Sequence, residues 1–187
     1  LSLLKNSLSE NDVTVMSIFV NPTQFNNAED LDKYPRTLER DVQIMQDLSN
    51  NIIVYAPEVA DIYEGNTISE SFNYDGLENQ MEGKHRPGHF DGVGTIVKRL
   101  FEIVQPNKAY FGEKDFQQLQ IVKKLVSKYN IPVDVIGCPI HREANGLAMS
   151  SRNERLSESA REKAAIIFQI LNSAKEIFQT NSAEQTI

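Results

Sequence analysis

Cysteine is nearly absent: Cys138 is the only one in 187 residues, so no internal disulfide can form. That usage suits a reducing compartment, and the cytoplasm is the expected location. Positive charge is also in short supply. With 19 Lys and Arg against 26 Asp and Glu, the net charge is −7, so a phosphate backbone would meet a repelling field and no nucleic-acid partner is expected. No apolar run approaches membrane length and no basic-then-apolar leader opens the sequence, so no membrane partner is expected. Walker A, GxGxxG and nucleophile-elbow patterns are missing. No two carboxylates stand out as an acid and base pair. His85 and His89 lie four apart in "GKHRPGHFDGV", but Pro87 and Gly88 between them exclude a helical HxxxH face. With no cysteine or third histidine close by, zinc is disfavoured, and a loop that shapes a neighbouring site is the better reading.

What is present is ordinary in bulk and informative in order. Hydrophobic residues make up 40% and charged residues 24%, enough for one good core and a second small lobe. Residues 1–7 read as a helix, and an opening "LSLL" without Met reads as the middle of one, so the chain is expected to be a fragment. "VTVMSIFV" (13–20) is apolar on both faces, as a buried parallel strand would be. A polar loop over 21–36 leads to a helix over 37–48 with Leu38, Val42, Met45 and Leu48 on one stripe. "NIIVYAP" is a second strand. Residues 61–92 read as loop, with "SFNYDG" as a weak strand. Val93, Ile96, Val97, Leu100, Phe101 and Val104 mark the next helix. "KAYFG" is a third strand, and residues 115–129 a helix with Leu119, Val122, Val126 and Tyr129 inward. "IPVDVIGCPI" is the fourth strand. A turn then precedes a long helix with a capping-box spacing at Ser159 and Glu162 and a stripe of Ala160, Ala164, Ile167, Leu171, Ala174 and Phe178. This order predicts an α/β fold with an open parallel sheet, and a change of domain near residues 139–142.

In such sheets ligands bind beyond the carboxyl ends of the strands. Three polar clusters fall there. In "GEKDFQQ", Gly112 permits a tight strand-to-helix turn, the amides of the helix start suit an anion, and Lys114 adds a point charge. Gln118 is at i+4 from Lys114, so both can face one ligand. The plainer alternative makes Asp115 an N-cap and Lys114 solvated surface. In "NPTQF", Asn21 and Gln24 can bind a hydroxy acid or carboxylate, or the segment is simply an Asn-Pro turn. In "GLAMSSRN", Ser150, Ser151 and Arg152 make a polyphosphate clamp or a helix-leading loop.

Taken together and in order, "SIFVNPTQF", "EGKHRPGHFDGV", "YFGEKDFQQL" and "REANGLAMSSRN" closely resemble the pantothenate synthetase (pantoate–β-alanine ligase) family. The resemblance implies a Rossmann-like domain of the nucleotidylyltransferase superfamily over 1–140 and the start of a small C-terminal lid domain over 141–187. It implies a two-step reaction in which pantoate's carboxylate attacks the α-phosphorus of ATP, and β-alanine's amine then attacks the pantoyl adenylate. Asn21, Gln24 and Gln118 would bind the pantoate and β-alanine substrates, with Gln24 and Gln118 holding pantoate and Gln24 also close to β-alanine. Gly112, Glu113, Lys114, Asp115, His141, Met149, Ser150, Ser151 and Arg152 would bind ATP. Among these, Lys114, Ser150, Ser151 and Arg152 would act on its phosphates, Asp115 would lie near the ribose, and His141 would make a backbone contact. Asp41 matches an acidic position that would help hold Mg²⁺. A homodimer is implied as well.

The chain departs from the family pattern in lacking the upstream HxGH segment with its strand, and in stopping before the lid is complete. Expressed alone it is therefore expected to make little pantothenate and to aggregate through an unpaired strand edge. Two competing readings are an adenylate-forming enzyme for a different acid, which would carry other residues at Gln24 and Gln118, and a non-catalytic nucleotide-binding or assembly domain.

Overall fold

The computed structural model describes residues 1–25, 27–63, 65–179 and 182. They divide into two compact units, Leu1–Cys138 and Pro139–Ile187. In the first unit β1 (Thr14–Ser17) pairs in parallel with β2 (Ile52–Tyr55), and β3 (Lys108–Gly112) pairs in parallel with β4 (Asp134–Cys138). The α/β class with parallel strands holds. A single sheet does not: the described residues form two two-stranded sheets, with no ladder joining β1 to β3. Helix α1 (Ser2–Glu10) packs against both strands instead. Ser7 and Thr14 hydroxyls meet at 2.9 Å, Asn11 donates to the Tyr110 hydroxyl at 2.8 Å, and Glu10 accepts from Tyr110 and Lys108.

Several expected loops are helical. The 21–36 stretch contains a 3₁₀ turn at Pro22–Gln24 and α2 (Ala28–Asp32), whose first turn is capped by the Asn27 side chain. α3 (Leu38–Leu48) follows expectation, with Met45 buried. α4 (Val59–Tyr63) buries Ile62 and Tyr63 in a region read as loop. "SFNYDG" is not a strand. Its alternation buries Phe72 and Tyr74, but they plug into α6 (His89–Val104): the Phe72 amide donates to Asp91 Oδ1 at 2.9 Å and the Tyr74 hydroxyl to the Phe90 carbonyl at 3.0 Å. Alternating burial without a ladder partner looks the same in sequence as a half-buried strand. The glycine-bounded loop is α5 (Met81–His85), a left-handed Gly88, and the start of α6 at His89 rather than Val93.

α6 and α7 (Phe116–Lys128) pack on one another and carry most of the core, with Val93, Ile121, Val122 and Leu125 wholly inaccessible. The inward face of α7 is thus Leu119, Ile121, Val122 and Leu125, wider than the expected stripe because α7 also contacts β3 and β4. Tyr129 is not inward; it is exposed, with its ring edge-on to Phe72 at 5.5 Å.

In the second unit, Arg142 and Ala148 form an antiparallel bridge. Arg161 grips Glu143 with two bonds of 2.9 and 2.8 Å, and Asn153 adds a third at 3.0 Å, which holds the Glu143 carboxyl below the usual range. The Arg142 guanidinium stacks 4.0 Å over Phe168. The expected long helix is broken into α8 (Glu158–Ala164) and α9 (Ile166–Phe178). Its cap is Ser157, whose Oγ accepts from the Ala160 amide, not Ser159. Ile167, Leu171 and Phe178 of the expected stripe are exposed rather than packed.

One turn of the first unit is held electrostatically. Asp75, at a left-handed φ of 58°, accepts from Lys124 and Lys128 of α7, each at 2.6 Å. These bonds lower its carboxyl from 3.8 to about 2. A depressed folded pKa contributes stability above the unfolded value that disappears as pH falls through the folded one. Asp75→Asn is therefore expected to lose a small part of wild-type stability at neutral pH and to converge with wild type between pH 3.8 and about 2, read from urea unfolding across that range.

Candidate active site

Two polar segments of the first unit leave the carboxyl ends of strands, Asn21–Gln24 after β1 and Gly112–Gln118 after β3, and their elements both rest on α6. The first is built around Asn21, only 3% exposed. Its Oδ1 accepts from the Thr23 amide, the Thr23 hydroxyl at 3.1 Å and the Tyr63 hydroxyl at 2.5 Å, while its Nδ2 donates to the Gly92 carbonyl at 3.1 Å. Burial raises the Tyr63 pKa, keeping its proton in place for this bond. Both ends of the Asn21 amide are thus engaged by the protein itself. The turn lies so close to α6 that a Cβ on Gly92 would sit 2.7 Å from the Thr23 carbonyl oxygen. Gln24 closes the turn. Its carbonyl accepts from Arg86 Nη2 at 2.9 Å and faces His89 Nδ1 at 3.1 Å, but its half-buried side-chain amide makes no hydrogen bond among the described residues.

The second segment repeats this contrast between neighbours. Gln117 is 5% exposed and makes four bonds, accepting from the Glu82 and Gly83 amides at 2.9 and 3.3 Å and donating to the Leu77 and Gln80 carbonyls at 2.9 and 2.7 Å. Gln118 is half-buried, and its amide has no partner among the described residues. Sequence reading picked out Gln118 and passed over Gln117, whose role depends on distant backbone groups.

Gly112 requires correction. Its φ of −74° and ψ of 133° are open to any residue, and a Cβ there would meet nothing within 4 Å, so the turn itself does not need glycine. The helical i+4 spacing also fails. Lys114 lies in a separate 3₁₀ turn, Glu113–Asp115, before α7 begins. Asp115 occupies the N-cap position of α7 without a side-chain cap bond and instead meets Lys114 at 3.2 Å. Those side chains are 40% and 61% exposed, so the pair is worth only about 0–1 kcal/mol and gives way readily to a stronger partner. Glu113 is exposed beside them.

In the second unit, His141 is exposed and its carbonyl accepts from the Met149 amide at 3.0 Å. Met149 is 49% exposed. Ser150 Oγ accepts from the Arg152 amide at 3.3 Å, capping a 3₁₀ turn over Ser151–Arg155 and leaving Ser151 and Arg152 on the surface. Asp41 stands in the first turn of α3, where Oδ2 accepts from the Thr37 hydroxyl at 3.0 Å. No group of three or more His, Cys, Asp or Glu side chains among the described residues could hold a metal ion. No helix of the described residues is long and apolar enough to cross a membrane. Of the two histidines, His85 is exposed and His89 is buried against Gln24.

Comparison with known proteins adds lineage to this geometry. The family Pantoate-beta-alanine ligase matches residues 1–187. The chain is 68% identical over 185 residues to the pantothenate synthetase of Flavobacterium psychrophilum, covering 99% of this chain and 66% of that protein. A crystal structure of pantothenate synthetase from Thermus thermophilus superposes with a TM-score of 0.92 at 42% identity, over 99% of this chain and 67% of that one. A pantoate-beta-alanine ligase from Francisella tularensis, complexed with beta-gamma ATP and beta-alanine, superposes with a TM-score of 0.85 at 43% identity, over 91% of this chain and 65% of that one. The chain belongs to the pantoate–β-alanine ligase family, and it spans about two thirds of the length of these relatives.

The paired glutamines make separable predictions. Gln117→Ala leaves several buried backbone groups unpaired, at about 1–3 kcal/mol for each group left unsatisfied, and should lower the denaturation midpoint clearly. Gln118→Ala should shift unfolding by no more than about 0.5 kcal/mol. Equal losses in urea titrations of the two variants would mean that Gln118 is structural too.

Proposed function

We propose that this chain carries the substrate-binding core of an ATP-dependent ligase that condenses pantoate with β-alanine. In the first step a carboxylate oxygen of pantoate attacks the α-phosphorus of ATP, the bond to the β-phosphate oxygen breaks, and pyrophosphate leaves. In the second step the amine of β-alanine attacks the acyl carbon of pantoyl adenylate, AMP leaves, and the nitrogen loses a proton to give pantothenate. The observation that carries this reading is the division of labour between amides: Asn21 and Gln117 are consumed by the fold, while Gln24 and Gln118, on elements packed against the same helix, keep theirs available. Two neutral amides can pair with a hydroxy acid's hydroxyls and carboxylate without burying an uncompensated charge. Asn21 then serves the site by shaping the turn that carries Gln24.

In the first unit ATP is assigned to the segment after β3; in the second, the Met149–Arg152 turn suits phosphate. The open space at Gly112 suits a ligand passing over the backbone, and the amides at the start of α7 carry no side-chain cap. Glu113 and Asp115 flank that approach, with Asp115 on the ribose side. Lys114 would stabilise the charge that builds on phosphate oxygens as the bond to pyrophosphate breaks, and within the second unit the Ser150 and Ser151 hydroxyls and the Arg152 guanidinium are groups of the same chemistry. His141 and Met149 would contribute backbone and apolar contacts. Mg²⁺ accompanying ATP, with Asp41 as its acidic contact, a homodimer and a cytoplasmic location complete the reading.

Three results test it. By titration calorimetry, Gln24→Ala and Gln118→Ala should each weaken pantoate binding by about 1–3 kcal/mol; wild-type affinity in both would remove the pantoate assignment. Lys114→Ala should lower kcat for adenylate formation on the order of 10²-fold, because its charge acts at the transition state. A raised KM for ATP with unchanged kcat would reduce Lys114 to a ground-state contact. Gly112→Ala should leave the melting temperature unchanged and raise the KM for ATP, since the added methyl has room in the protein and none beneath a ligand.

A further inference from the structure

We propose that Arg86 and His89 are positioning residues for substrate, acting through the backbone of Gln24. The inference rests on the reading above that the Gln24 side chain binds pantoate. The Gln24 carbonyl accepts from the Arg86 guanidinium at 2.9 Å and the His89 imidazole at 3.1 Å, so one short segment supplies two side-chain donors to the same oxygen. The Gln24 amide is fixed on the other side, donating to the Asn21 carbonyl at 3.2 Å. The backbone that carries the available amide is therefore pinned fore and aft, while the amide itself touches no protein partner among the described residues.

The donors are themselves held. Arg86 is in an ion pair with Glu82, one turn back on α5, which orients the guanidinium. His89 is 7% exposed, at the start of α6 with its ring 4.9 Å from that of Phe90. Burial, with Arg86 close by, pushes the His89 pKa below the ordinary value, so the ring is neutral at pH 7 and its single proton must sit on Nδ1 to serve Gln24. Gly88, at a φ of 77°, sets the angle between α5 and α6 that aims both side chains at one oxygen. A histidine and an arginine directed at a single carbonyl do more than the turn needs for stability, since Asn21, Thr23 and Tyr63 already close it.

The test is steady-state kinetics on the full-length protein that carries this segment, with a double-mutant cycle. Arg86→Ala should raise the KM for pantoate about tenfold, as expected for losing one charge-assisted bond, and leave the KM for ATP unchanged. His89→Asn puts an amide nitrogen where Nδ1 lies and should retain most of the wild-type behaviour; His89→Gln, of similar size with its amide further out, should not. In a Gln24→Ala background, Arg86→Ala should add less than about twofold, because its effect runs through Gln24. A pantoate KM left unchanged by Arg86→Ala, equal behaviour of the His89→Asn and His89→Gln variants, or a full tenfold effect in the Gln24→Ala background would each overturn the proposal. Thermal melts run alongside, and a fall in apparent kcat that matches the unfolded fraction, with no change in the pantoate KM, counts against it. If Gln24→Ala alone leaves the pantoate KM unchanged, the underlying reading of Gln24 has failed, which is a separate result.

Discussion

The contact between the start of α6 and the turn after β1 governs how the polar end of the first unit is arranged. Gly92 sits under the Thr23 carbonyl with no room for a methyl group, and its own carbonyl accepts from Asn21. Because helix and turn meet backbone to backbone, Gln24 is carried at a fixed height over α6. The same helix packs against α7, which brings Gln118. The core beneath, with Val93, Ile121, Val122 and Leu125 fully buried, supplies the rigidity. Close packing of this sort transmits small displacements, so a shift of the turn would move Gln24 relative to α7.

Two kinds of amide follow from this arrangement. Those under the elements, Asn21 and Gln117, knit separate chain segments together and have both ends paired, as buried polar groups require. Those one turn or one residue further out, Gln24 and Gln118, remain half-buried with side-chain amides that have no hydrogen-bond partner among the described residues. Half-burial is the useful state for a binding group, since little solvation is given up before a ligand arrives and the backbone is already placed.

Sequence alone conveyed the elements whose periodicity comes from local packing. α3, α7 and the four strands lie where the apolar patterns put them, within a few residues. It missed α2, α4 and α5, which at five residues each are too short to show a helical period, and it read Phe72 and Tyr74 as a strand because their alternation matches one. It treated Asn21 and Gln24 alike, and it picked Gln118 over Gln117 without seeing what engages Gln117. Each pair carries the same side-chain amide group, and the difference lies in which backbone groups, some 34 to 71 residues away in the chain, happen to be in reach. The glycine at position 112 was assigned to the turn, when the coordinates leave its Cβ position open. His89 drew notice as a possible metal ligand, and only the fold reveals that it faces a carbonyl.

The central claim is that the polar end of this unit binds pantoate for activation by ATP. Exchange of labelled pyrophosphate into ATP measures that step alone. The account predicts exchange that requires pantoate, proceeds without β-alanine, and falls sharply in Gln118→Ala while that variant keeps its melting temperature. Exchange supported equally by unrelated hydroxy acids, or undiminished in Gln118→Ala, would contradict it.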